Sequence, residues 1–280
     1  MSYPGHINDC PVAHAAEGDF QWEEASSPDL IEVMGLRLHN LHRDVIAERV
    51  KSAVLSKQKM LVVNANAHLV VLAQTNLWIP KLFSMANIAF CDGAGVQLAI
   101  RLLTGRAAHR TTPPEWIGAM LESLGLKASI FWLGGTPEVV AKAASRYEAH
   151  FGVHTVGVQH GFFDMSPNSS DTLELIERIN RAGPSILLVN MGMPRQERWL
   201  WENWDRLNPC VAITAGALVD HAAGHVRRPP RWVANLGIEW LVRLVREPRR
   251  LWRRYLFGLP VFGVYVLRYA LSGRAKARSN

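Results

Sequence analysis

The chain has 280 residues, 49% of them hydrophobic, and a mean hydropathy close to zero. This excludes a polytopic membrane protein or a largely disordered chain and admits one large α/β body. The net charge of +7 is unevenly placed: residues 225–280 hold 13 Lys or Arg against two acids, a local charge of +11, while the remainder carries −4. Such asymmetry marks a surface that meets phosphates, whether on lipids, nucleic acid or a pyrophosphate ligand.

In chain order, residues 1–34 mix Pro, Gly, acids and His without a sustained period, which predicts a poorly ordered arm. They lack the basic start and apolar core of a secretory signal, so a cytoplasmic protein is expected. Cys10, Cys91 and Cys210 form no CxxC pair and fit reduced thiols. From Met60 onward, short apolar runs alternate with helix-length amphipathic segments. The runs predict strands at 60–63, 88–91, 129–133, 155–158, 186–190 and 211–214. Helices are predicted at 43–57, 67–77, 94–104, 115–125, 137–150, 171–182, 195–206 and 217–223. The fold class is α/β, a Rossmann-like parallel sheet over residues 35–224 with a basic helical C-terminal appendage over 225–280.

That appendage has a different character. Drawn as one helix, residues 241–256 place Arg243, Arg246, Arg250, Arg253 and Arg254 within roughly 100° of arc, opposite Leu241, Leu244, Leu251, Trp252 and Tyr255. This pattern suits a membrane surface. Pro248 is expected to break the segment and reset its phase. The apolar stretch 256–267 falls short of the roughly 20 residues that a crossing helix needs.

Parallel sheets bind ligands outside the carboxyl ends of their strands, so polar residues just after each run are the candidates. Asn64 and Asn66 follow the first run. CDGAGV (91–96) puts Asp92 and Gly93 at a strand end that opens a helix, where Asp92 is either the helix cap or a general base. FWLGGTPEVV (131–140) places Gly134 and Gly135 where backbone N–H groups can approach a phosphate, although a tight turn explains them equally well. VNMGMPRQERW (189–199) opens a helix with Arg195, a phosphate partner, and Gln196, which can both donate to and accept from a sugar or uracil edge. TAGALVDHAAG (214–224) adds Asp220. Eleven histidines form no HExxH or other compact ligand spacing, and there is no DxD pair, GxSxG or GxxxxGK[ST]. Neither a metal nor another cofactor is expected.

Taken in order, NANAHLVVLA (64–73), CDGAGV (91–96), WLGGTPEVVAKAA (132–144), GFF (161–163), GMPRQERW (192–199) and the segment 215–255 resemble the WecG/TagA/CpsF glycosyltransferases. The resemblance runs from about Met34 to Tyr255. It implies an inverting, metal-independent transfer from a UDP-sugar donor to a sugar on polyprenyl pyrophosphate, in exopolysaccharide or cell-wall polysaccharide synthesis. On this resemblance Asp92 matches the general base, Asn64 and Asn66 line the sugar pocket, and Gln196 stands near the donor. Arg243, Arg250 and Arg253 neutralise the acceptor pyrophosphate. The protein is then peripheral at the inner face of the plasma membrane, with a homo-oligomer left open. Arg110-Thr111-Thr112-Pro113-Pro114-Glu115 departs from the family pattern, with Pro113 for the usual Gly and Glu115 for the usual Asp, and this leaves glucose and N-acetylmannosamine both open as donor sugars.

Two other classes are weaker. A Rossmann oxidoreductase needs glycines in the first βα turn, where this chain has Asn64-Ala65-Asn66-Ala67-His68. A nucleic-acid-binding tail has no use for VFGVYVL at 261–267, so no nucleic acid partner is expected.

Overall fold

The computed structural model describes residues 29–208, 211–225, 239–246 and 248–273. Strands β3 (Met60–Ala65), β4 (Ile88–Cys91), β5 (Ser129–Gly134), β6 (His154–Gln159), β7 (Ile186–Asn190) and β8 (Val211–Thr214) form one parallel sheet in the order β4-β3-β8-β7-β5-β6. Every residue of β3, β4, β7 and β8 is buried, because helices cover both faces. On one face lie α1 (Arg43–Leu55), α5 (Pro113–Leu124), α6 (Pro137–Phe151) and α9 (Leu218–Ala222). On the other lie α2 (Ala67–Ala73), α3 (Trp78–Met85), α4 (Ala94–Thr104), α7 (Ser170–Ala182) and α8 (Arg195–Asn203). The sheet order reverses between β3 and β8, since the chain first steps outward to β4 and later returns to β3's other side. A crevice at the carboxyl ends of the strands follows from that reversal.

Two features differ from the sequence expectation, and a third follows it. Leu30–Val33 (β1), placed in the arm, instead pairs antiparallel with Leu36–His39 (β2) through a turn at Met34 and Gly35, both of positive φ. Its apolar alternation is only four residues long, but Ile31, Val33, Leu36 and Leu38 are all buried against α3, α4 and the β4 edge. Residues 1–28 lie outside the described chain. Second, α3 forms although Pro80 interrupts it, because Pro in the first turn forfeits only an N–H that has no intrahelical partner. Third, as expected of Pro248, the segment 241–256 is not one helix: α10 (Glu239–Arg246) is followed by α11 (Pro248–Leu256), with Pro248 opening the second.

Helix α12 (Gly258–Leu271) follows and packs on α2 and α4. Phe262 is its buried anchor, with its ring 3.7 Å from the position a Cβ would take on Gly95, near the start of α4. Among the described residues, no helix is long and apolar enough to cross a membrane.

Candidate active site

The register of β3 against β4 pairs Asn64 with Phe90 and Ala65 with Cys91, which brings the Asn64 side chain beside Asp92. On the other flank, Val62 pairs with Ile213, which brings Thr214 alongside Asn64. A row of hydrogen bonds results. The Thr214 hydroxyl donates to Asn64 Oδ1 at 2.7 Å, and Asn64 Nδ2 donates to Asp92 Oδ2 at 2.6 Å. Asn64 N–H closes the arrangement by donating to Thr214 Oγ1 at 3.2 Å. Thr214 and Asn64 are fully buried, whereas Asp92 is partly exposed at the crevice. The row therefore holds a carboxylate in one orientation at the mouth of the sheet.

Asp92 is not the N-cap residue of α4. The cap of α4 is Gly93, which has no side chain and adopts φ +121°, a conformation that favours glycine. The neighbouring Cys91 thiol is pushed up to about 12 by burial, with Asp92 adding to the effect and Arg110 opposing it. At neutral pH it stays a thiol, so Cys91 is no nucleophile.

The loop between α4 and α5 folds back onto this place. Thr111 is buried, and its N–H donates to Cys91 O at 2.9 Å. Glu115 accepts from Thr112 N–H at 2.8 Å as one half of a capping box, with Pro113 at the head of α5. Glu115 thus serves the helix start. The β1–β2 hairpin fastens the loop from behind: Asn40 Nδ2 donates to Ala107 O, His109 N–H donates to Asn40 Oδ1, and the Arg106 guanidinium donates to Leu30 O.

Across the crevice, Gly134 ends β5 at φ +127°. A Cβ there would lie 2.4 Å from the backbone of Asn190, so only glycine lets β5 and β7 close at their tips. Gly135 turns at φ +74° against Val219 of α9, and Gly161 packs on the Gly134 Cα. Arg195 stands exposed at the first turn of α8 and donates to Gly161 O at 2.7 Å. Asp220 is half-buried on α9.

Two expected ligand-binding amides are engaged within the protein. Gln196 is wholly buried: its Oε1 accepts from Gly216 N–H at 3.1 Å, and its Nε2 donates to the equally buried Glu197 at 2.7 Å. It fixes the loop after β8 relative to α8. Asn66 caps α2, accepting from Leu69 N–H, and its Nδ2 contacts Met193 Sδ. Arg243 lies on α10, and Arg250 and Arg253 lie on α11, but their side chains are outside the described ones.

Sequence reasoning passed over Thr214 and Asn190. Each is the polar last residue of an apolar strand, and that position was the available signal. Asn190 is buried, with its Nδ2 on Leu188 O, and its Oδ1 meets no donor among the described residues. The candidate set is one oriented carboxylate after β4 and a glycine turn after β5, both at the carboxyl ends of the sheet. The family model described as glycosyl transferase WecG/TagA/CpsF matches residues 31–276, from β1 to beyond α12, and the chain belongs to that family.

Proposed function

We propose that the chain transfers a sugar with inversion from a UDP-sugar to a sugar carried on polyprenyl pyrophosphate at a membrane surface. The observation that carries this reading is the Thr214–Asn64–Asp92 row at the point where the strand order reverses. The acceptor hydroxyl attacks the anomeric carbon of the donor, forming the new C–O bond as the bond to the β-phosphate oxygen breaks. Its proton passes to Asp92, and UDP leaves with the bonding electrons. The Gly134-Gly135 turn offers close backbone approach to the donor, with Arg195, Asp220 and the Asn190 carboxamide oxygen as candidate polar groups for it. Arg243, Arg250 and Arg253 supply charge for the acceptor pyrophosphate.

The test is a radiolabel transfer assay with a panel of UDP-sugars, glucose and N-acetylmannosamine included, against glucosyl and N-acetylglucosaminyl polyprenyl pyrophosphates. Asp92→Asn is expected to lower turnover by roughly 10²–10⁴-fold while circular dichroism and donor binding stay unchanged. Turnover like that of the unaltered enzyme rules out Asp92 as the base.

A further inference from the structure

The helices differ sharply in charge. Among α2, α3, α4, α10, α11 and α12 the only acidic residue is Glu239, whereas α1, α5, α6, α7, α8 and α9 each carry at least one acid. The acid-free group gathers where α12 packs on α2 and α4. Here apolar side chains face outward. Phe262 and the partly buried Tyr265, Val266 and Tyr269 turn α12 inward, and Val261, Val264, Leu267 and Leu271 are left exposed. On α4, Gly95 meets Phe262, and the residues three and seven positions further on, on the same side of the helix, are Leu98 and Leu102, 57% and 64% exposed. Arg101 and Arg268 stand exposed on the same two helices.

We propose that Leu98 and Leu102 join the outer side of α12 in one lipid-contacting face. This face sets the protein on an anionic bilayer with Asp92 at its edge. The inference rests on the membrane reading above and adds the orientation: α4 begins two residues after Asp92, so the helix that carries the carboxylate's loop is itself at the lipid surface. Apolar side chains entering the headgroup boundary beside cations are what an anionic bilayer retains. A second copy is a poorer occupant, because a two-fold interface sets this cationic surface against itself.

The experiment uses the full chain with vesicles of phosphatidylglycerol and phosphatidylcholine, and with phosphatidylcholine alone. Binding of the unaltered protein to the anionic vesicles is expected. Leu98→Asp/Leu102→Asp, both at exposed positions, should weaken it roughly tenfold or more with an unchanged thermal transition. In a Cys10→Ser/Cys210→Ser background, an environment-sensitive fluorophore at Leu98→Cys should shift to the blue on anionic vesicles. The same fluorophore at Leu126→Cys, 87% exposed in the turn before β5, should not. If the unaltered protein binds and neither the double variant nor the Leu98 probe responds, the proposed face is wrong while the membrane reading stands. If the unaltered protein ignores anionic vesicles, the membrane reading fails and this inference with it. A double variant that turns a dimer into a monomer in sedimentation, with vesicle binding intact, assigns the face to a second copy and overturns the proposal.

Discussion

Thr214→Val removes one buried hydroxyl and keeps the shape of the side chain. The lost oxygen donates to Asn64 Oδ1 and accepts from Asn64 N–H, so two buried groups of one residue lose a partner together. Each such loss costs about 1–3 kcal/mol, which makes destabilisation on the order of 2–4 kcal/mol and a fall of several degrees in Tm. The chemical consequence is separate. Without the hydroxyl Asn64 Oδ1 loses its donor, and the amide is held at that end by nothing but its bond to the acceptor-only Asp92 carboxylate, so the 2.6 Å geometry is less firmly enforced. A hydrogen bond to a charged group contributes about 1.5–3 kcal/mol, so kcat should fall roughly ten- to a hundredfold, with donor KM little changed. Thr214→Ser keeps the hydroxyl and should restore most of the rate. Differential scanning calorimetry and single-turnover transfer measure the two effects. A Thr214→Val enzyme with unaltered Tm and kcat would refute the idea that this row orients the carboxylate.

Two further outcomes follow from geometry away from the carboxylate. Gly134→Ala should cost about 1–3 kcal/mol from its backbone conformation alone and more from the clash with Asn190, whereas Gly183→Asn, at φ +56° in open space, should be nearly neutral in thermal denaturation. His39 accepts from Ala89 N–H through Nδ1, and burial, with Arg49 and Arg37 assisting and Asp29 opposing, holds its pKa below the ordinary 6.5. The folded state thus binds its proton less readily than the unfolded chain, so stability is full above pH 6.5 and declines as pH falls below it. His39→Gln should flatten that slope in urea titrations at pH 5–7; an unchanged slope assigns it to other groups.

The sheet was legible because its strands are buried on both faces and so appear as unbroken apolar runs; β4, β7 and β8 carry the bounds expected of them. The hairpin was not, because β1 and β2 are four residues each and gain their stability from α3, α4 and the β4 edge, partners that local sequence cannot reveal. Asp92 and Asn64 could be picked out as strand-end residues. Thr214 could not, since its relation to Asn64 depends on β8 returning beside β3 across 150 residues of chain. Gln196 shows how burial acts on a candidate chosen by chemistry alone. Its chemistry suits a ligand, yet burial turns the same donor and acceptor toward Gly216 and Glu197.

The loop from Gly105 to Thr112 is held by Asn40, Arg106 and the Thr111 backbone, all acting on its ends and its rear. The Thr111 anchor reaches Cys91 O at the end of β4, whereas the Asn40 and Arg106 anchors act through the hairpin. Ala107 and His109 are exposed on this loop, and their side chains can be exchanged at small cost in stability. Because the loop and the hairpin are bonded to each other at several points, a designer wishing to exchange the loop should graft it together with its hairpin.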